Sequence, residues 1–247
     1  YKLKKQDVIY LYNIEYKNLK IQKKIFIPKN SIIKETEKDI IENNTDFIVI
    51  NKKSGLPVQG GTKIKENLVN ILANTDFFTN TKPFIVHRID KETSGIFLIA
   101  KNREAAQFFT SLFRIRKIHK TYLAIVKGEV PKNLKKMEDL LEYYEKNKRI
   151  KLKAITFLKV LKSNRSYSLL ELRPETGRKH QLRKQLFIRG FPIIGDNKYN
   201  MNYNKKIKDQ FMLLHSYKIK FIKNDTKFAY LAELDDEFKK KINSYFR

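Results

Sequence analysis

No cysteine occurs anywhere in the 247 residues. That absence excludes disulfides, cysteine-ligated zinc, iron–sulfur clusters and thiol nucleophiles. Histidine is scarce too, and four residues leave little room for a His-rich metal site. No apolar run approaches the roughly 20 residues of a membrane span. The opening Tyr1-Lys2-Leu3-Lys4-Lys5 lacks the apolar core of a signal peptide. A cytoplasmic protein without a membrane partner is expected. The chain also lacks an initiator Met and is expected to be a piece whose true start lies upstream. A Gly-rich phosphate loop is missing: Gly60-Gly61-Thr62 has neither the spacing nor the lysine of a P-loop.

Acidic residues are the other shortage. Asp and Glu number 26 against 53 Lys and Arg, a formal net charge of +27. A base-composition bias toward Lys, Ile and Asn explains part of the lysine excess, but not acids at half the basic count. Such a field attracts phosphate backbones whatever their sequence. An anionic membrane surface is the weaker alternative. Hydrophobic residues are 41% of the chain, enough for a core in one large domain or one domain with an appendage.

Val8-Ile9-Tyr10-Leu11-Tyr12 reads as a strand. Residues 13–45 are polar with little periodicity and read as a linker. Order resumes at the buried strand Asp46-Phe47-Ile48-Val49-Ile50, followed by a turn-rich stretch to Val58 and a short helix from Glu66 to Asn74. A second buried strand covers Ile96 to Lys101. Asn102 then caps a helix whose Ala105, Phe108, Phe109, Leu112 and Phe113 recur at helical spacing and face the core. Lys120 to Gly128 is a third strand, and residues 131–153 read as a charged surface excursion. Ala154–Leu161 and Tyr167–Arg173 read as paired strands about Ser163-Asn164-Arg165, and Thr176 to Ile188 as a helix closed by Gly190. Late strands near Leu213–Phe221 and Phe228–Leu234 precede a lysine-rich helix. Strict βαβ alternation is missing, which points to an α+β fold with a mixed, mainly antiparallel central sheet flanked by helices.

One stretch stands apart: His87-Arg88-Ile89-Asp90-Lys91-Glu92-Thr93-Ser94-Gly95. A lone Asp before a turn is usually a cap or turn former. Here Arg88 lies two residues away, and Thr93-Ser94-Gly95 allows a tight turn that presents Asp90 at the mouth of the next strand. Farther on, Arg183 offers a cationic partner, and His180 one turn before it points the same way on the expected helix. An arginine in hydrogen-bonding reach orients a carboxylate, which in a cationic groove can act as nucleophile or base. Tyr122 taken alone reads as packing. Glu92 and Glu175 carry no signature of a second catalytic acid, so glycosidase-type chemistry is discounted.

The stretch from His87 to Gly95 resembles the signature of the RluA-type pseudouridine synthases. Further blocks extend the resemblance. Asp46–Val58 is similar to the family's opening segment, Lys120–Gly128 to its tyrosine strand, and Arg173–Arg183 to its basic motif. Gly190–Tyr199 and Leu214-His215 are similar to later landmarks. Tyr1–Ile9 resembles the end of an S4 RNA-binding domain, and the whole is nearest the C type among the enzymes of the large ribosomal RNA. The domains implied are an S4-like remnant at 1–12, a linker at 13–45 and a pseudouridine synthase catalytic domain at 46–247. Three departures stand out: Lys184-Gln185 where the family reads apolar-His, Lys179 for Thr or Ser, and Ile89 for Leu. They bear on fine substrate contacts, not on the reaction.

The resemblance implies isomerisation of uridine to pseudouridine in RNA, on large-subunit (23S-type) ribosomal RNA. Asp90 is then the essential carboxylate, Arg183 its partner, and Tyr122 stacks on the uracil and could serve as the base at carbon 5. Arg88 fills the space of the flipped nucleotide, Leu182 lines the pocket, and Arg178 and His180 join the RNA-contacting set. The reaction is neither redox nor hydrolysis, so no cofactor, no metal and no obligate protein partner is expected. The competing class is a non-catalytic basic RNA-binding protein of ribosome assembly, which the charge alone supports equally well.

Overall fold

Alternating apolar positions along the chain build one long sheet, and its two faces receive the helices. The computed structural model describes residue 8 and residues 27–60, 66–145, 148–200 and 211–247. The expected strand at Val8–Tyr12, apart from Val8, lies outside these residues, and so does the proposed domain remnant around it.

Helix α1 (Asn30–Lys38) and strand β1 (Ile40–Asn43) lead into β2 (Phe47–Lys52). The expected linker at 13–45 is therefore structured in its last part. β1 pairs with β2, its half-buried residues alternating with exposed ones, a pattern too short to register as periodic in the sequence. Helix α2 (Leu68–Leu72) is capped by the Asn67 side chain, which accepts from the Asn70 N–H. Strands β3 (Phe84–Ile85) and β4 (Ser94–Ala100) follow, then α3 (Arg103–Arg114), where the Asn102 carboxamide accepts the Ala105 N–H as its capping position predicts. β5 (His119–Lys127) crosses the middle of the molecule.

β6 (Lys136–Glu145) and β7 (Lys148–Ser163) correct the reading of 131–153 as a surface excursion. They form a long hairpin that extends the sheet. Met137 and Leu141 are buried beneath it, while its outer positions carry charge pairs such as Lys153–Glu138 and Arg149–Glu142. So many charges hide the period of two. β8 (Tyr167–Pro174), α4 (Gln181–Ile188), β9 (Leu214–Lys223), β10 (Thr226–Leu231) and α5 (Asp236–Tyr245) complete the described elements.

The sheet runs β1-β2-β4-β9-β5-β8-β7-β6, with β3 on β4 and β10 on β9. Every pairing is antiparallel except the short contact of β4 with β9. The architecture is α+β with a mixed, mainly antiparallel sheet. Successive side chains on a strand face opposite ways. Phe47, Val49, Leu98 and Ala100 accordingly pack with Phe109 of α3, whereas Ile48, Ile50, Phe97 and Ile99 pack with Leu68 and Leu72 of α2. On β5, Tyr122, Ala124 and Val126 meet Leu182 and Leu186 of α4, and Leu123 and Ile125 meet Phe238 of α5. Alternation thus puts Tyr122 on the α4 face.

Gly95 makes the parallel contact possible. Its φ is +98°, and a Cβ there would lie 2.3 Å from the Ser216 carbonyl oxygen. Only a residue without a side chain lets β4 and β9 approach so closely. The Thr-Ser-Gly triplet is therefore not the expected turn. The turn is Asp90–Thr93, closed by the Thr93 N–H on the Asp90 carbonyl, and Ser94-Gly95 already belong to β4.

Candidate active site

Asp90 sits on the β3–β4 loop, which is anchored from both sides. Lys52, buried at the end of β2, donates to the carbonyls of Lys53, Leu56 and Lys91 at 2.8, 2.8 and 3.0 Å. Burial pulls this ammonium down to about 7, opposed mainly by the carboxylate of Glu92. Gly55 N–H and Ser54 Oγ–H hold the carbonyls of Lys91 and Glu92. Before the loop, the His87 ring lies between Phe97 and Phe113, each 4.6 Å away, and its Nε2 accepts the Leu98 N–H. Burial, helped by the charge of Lys120, pushes His87 down to about 3, so the ring is a neutral acceptor. Arg88, Ile89 and Asp90 hang between these fixed points.

Arg183 projects from α4 and is 5% exposed. Its Nη1 donates to Asp90 Oδ2 at 3.0 Å. Its Nε and Nη2 donate to Asp196 Oδ2 and Oδ1 at 2.7 and 2.8 Å, a two-pronged contact. Asp196 also accepts the backbone N–H groups of Lys198 and Tyr199. Burial works against the Arg183 charge, but the hydrogen bonds and charges of Asp196 and Asp90 outweigh it and hold the guanidinium above its ordinary range.

His180 reaches the same carboxylate by a different route from the one its spacing suggested. It does not lie on the helix. It precedes α4 with φ +53° in the left-handed region, so the helix starts at Gln181, not Thr176. The residues before it wrap around the buried Gln181 side chain, which accepts from Thr176 Oγ and Arg178 N–H and donates to Ile155 O and Thr156 Oγ. That wrap leaves His180 Nε2 3.7 Å from Asp90 Oδ1 and Nδ1 2.9 Å from the Tyr199 hydroxyl. Burial lowers the His180 pKa, with Asp90 pulling the other way.

Tyr122 faces this cluster from β5. Burial pushes its phenol up to about 12, with a Ser216 hydrogen bond opposing and the nearby Asp90 charge adding to the rise. One pocket is lined by all seven residues singled out in the sequence: Arg88, Asp90, Tyr122, Arg178, His180, Leu182 and Arg183. Leu182 and Leu214 give it an apolar wall beside Tyr122. Asp90 keeps 23% of its side-chain surface open, so one edge of the carboxylate faces the pocket while the other is held by Arg183. A carboxylate so placed can attack an electrophilic carbon or take a proton.

Three groups escape a reading of the sequence. Asp196 backs Arg183, Lys120 lines the pocket, and Ser216 supports Tyr122. Asp196 and Lys120 lie in blocks already noted, but only the chain path shows what they touch. Conversely, the departure at Gln185 is not a substrate contact. Gln185 is fully buried, donates to Asp139 and the carbonyls of Met137 and Ala154, and accepts from Thr156. It ties α4 to the β6–β7 hairpin. Among the described residues, no three His, Asp or Glu side chains converge as a metal site requires.

The model of the family described as RNA pseudouridylate synthase matches residues 46–187. Ribosomal large subunit pseudouridine synthase C of Buchnera aphidicola (subsp. Schizaphis graminum) is 33% identical, over 90% of this chain and 77% of that one. Ribosomal large subunit pseudouridine synthase D of Borreliella burgdorferi is 32% identical, over 84% of this chain and 68% of that one. The solved structure of human RNA Pseudouridylate Synthase Domain Containing 4 superposes with a TM-score of 0.71 at 25% identity, covering 87% of this chain and 95% of that one.

Proposed function

The chain belongs to the RNA pseudouridylate synthase family, and from that premise we propose that it isomerises uridines of large-subunit, 23S-type ribosomal RNA, with Asp90 as the reacting carboxylate. The enzyme is an RNA pseudouridine synthase, an isomerase. The substrate reading rests on relatives whose names specify the ribosomal large subunit. The site reading is carried by one observation: Asp90 is held at 3.0 Å by the buried Arg183 in a pocket that also contains Tyr122.

The uridine leaves the stack to enter the pocket, and the exposed Arg88 at the rim takes its place. Asp90 then attacks the ribose or removes a ribose proton, and either route breaks the N-glycosidic bond. The uracil turns within the pocket and carbon 5 bonds to the ribose, as Asp90 either leaves the ribose carbon it attacked or returns the proton it took; the carbon 5 proton is lost while the former glycosidic nitrogen gains one. No atom enters or leaves overall. A phenol held at about 12 is protonated at neutral pH, so Tyr122 serves first as the stacking surface. It removes the carbon 5 proton only if its own proton passes on, and Ser216, its partner across the β5–β9 pairing, is the neighbouring hydroxyl. Leu182 closes the apolar side; Arg178 and His180 sit where the RNA backbone enters.

Residues 46–247 form the catalytic domain in this proposal, and residues 1–12 the end of an S4-like domain. A cytoplasmic location is proposed with it, from the action on ribosomal RNA. No helix among the described residues is long and apolar enough to cross a membrane. A purely RNA-binding assembly protein would explain the charge, but it would need no carboxylate held in a pocket by a buried arginine. Mapping pseudouridines at single-nucleotide resolution in ribosomal RNA, from cells with and without the gene, tests the proposal. Loss of one or more large-subunit positions is expected; an unchanged map overturns it.

A further inference from the structure

The connection from α3 to β5 reads Arg114-Ile115-Arg116-Lys117-Ile118-His119-Lys120, with five basic residues in seven and no acid. Arg114, Arg116, Lys117 and His119 are exposed. Two grooves run beside it. The first is lined by Arg114 and Arg116, and also by Arg88, Lys120 and Arg178, which line the Asp90 pocket as well. The second carries Arg116, His119 and Lys120 onward to Arg173. Lys120 belongs to all three depressions, so the basic surface is continuous with the reaction pocket. The one acid lining either groove is Glu175, and Arg116 already holds it at 3.1 Å. Among the described residues, Arg114 has no carboxylate in ion-pair range, and Arg173 has Glu171 only at 3.7 Å.

Arg116 also has a backbone that does not suit it. Its φ is +61°, in the left-handed region at the end of α3, where the Lys117 N–H closes on the Leu112 carbonyl. Glycine is the favoured residue at such a helix end, and any side chain there costs stability. A strained position that carries an exposed guanidinium beside a reaction pocket suggests a task beyond folding.

We propose that the RNA strand flanking the target uridine leaves the Asp90 pocket along these grooves, and that Arg114, Arg116 and Arg173 grip its phosphates. This rests on the reading of the pocket as the site of RNA isomerisation. The groove then determines how tightly RNA is held, not how fast the bond is remade.

The test uses the full chain and a large-subunit ribosomal RNA transcript, with binding and turnover read separately. The combined variant Arg114→Gln, Arg116→Gln, Arg173→Gln should raise KM and Kd by about tenfold or more. It should also flatten the salt dependence by about 2 to 3 in slope, since each phosphate contact contributes about 0.7 to 0.9. Lys239→Gln, Lys240→Gln, Lys241→Gln on α5 removes the same charge away from these grooves and should change neither. Arg116→Gly should raise KM while leaving Tm unchanged or higher, which a structural role for this arginine would reverse. The proposal falls if the groove variant behaves like the α5 variant. It also falls if the groove variant loses binding to phosphatidylserine vesicles while its RNA affinity stays intact. A wild type that binds the transcript but makes no pseudouridine sinks the proposed substrate instead, because the salt slope still reports on the groove.

Discussion

Arg183 meets Asp196 with two hydrogen bonds and turns its remaining amino group to Asp90. One buried cation thus hydrogen-bonds two carboxylates, one sealed at its back and one open to the pocket, with Glu92 farther off at 3.8 Å. The sealed pair orients the open one.

Asp90→Asn keeps the shape of the side chain and removes its charge. Turnover should fall by about three orders of magnitude or more, in the range expected for loss of a reacting acid–base group, while RNA binding persists. Tritium release from labelled uridine reads the first and filter binding the second. Substantial turnover by this variant would remove Asp90 from the chemistry.

Asp196→Asn attacks the sealed pair. Breaking a buried ion pair on one side costs about 3 to 5 kcal/mol, because the surviving charge keeps its desolvation penalty. A matching loss in urea unfolding is expected, with lower kcat, since Arg183 is then free to shift Asp90. Arg183→Ala should cost at least as much, because it strands the wholly buried Asp196 carboxylate. Normal stability in both variants would mean that the pair does not organise the site.

Tyr122→Phe removes only the hydroxyl from a side chain packed among Leu182, Leu214 and Ala124. Stability should stay within about 1 kcal/mol. If the phenol takes part in proton transfer, turnover is lost; if stacking alone is needed, the variant retains most of its rate. Single-turnover assays on the ribosomal transcript separate the two.

Gly95→Ala places a methyl group against the Ser216 carbonyl and forces a non-glycine residue to φ +98°. The cost should reach about 3 kcal/mol or more. Activity should fall with it, because Ser216 of β9 pairs directly with Tyr122 of β5. A thermal midpoint equal to wild type would contradict the close β4–β9 approach.

Acid should weaken the fold through His87. Its folded-state pKa, about 3, lies below the ordinary value near 6.5, so the unfolded chain takes up the proton first. Its contribution is complete above about pH 6.5 and is lost as the pH falls toward 3, by up to about 2 kcal/mol at pH 5. His215, buried against Ser94 and Ala232 with a lowered pKa, acts in the same direction. Urea unfolding at pH 7 and pH 5 measures the slope, and His87→Phe should flatten it.

Most strands and the α3 helix are legible because their apolar residues recur with the right period, as in β2, β4 and β5. The β6–β7 hairpin is not, since Lys and Glu occupy its open face and pair across the strands. The start of α4 is hidden as well, because nothing local announces a left-handed His180. The buried Gln181, held by residues 25 and 26 positions earlier, imposes that conformation.

The sequence by itself determined the absence of thiol chemistry, the basic field, the α+β class and, through the motifs it shares with a known family, the identity of the seven residues that share the pocket. These depend on composition and on short motifs, which need no knowledge of the chain path. Only the tertiary structure decided how those residues work on one another. It sealed Asp196 behind Arg183, paired Ser216 with Tyr122 across two strands, brought His180 to Asp90 from a loop, and joined the α3–β5 connection to the pocket. The physical reason is range: periodicity reports neighbours a few residues apart, whereas Arg183 and Asp90 stand 93 residues apart in the chain and 3.0 Å apart in space.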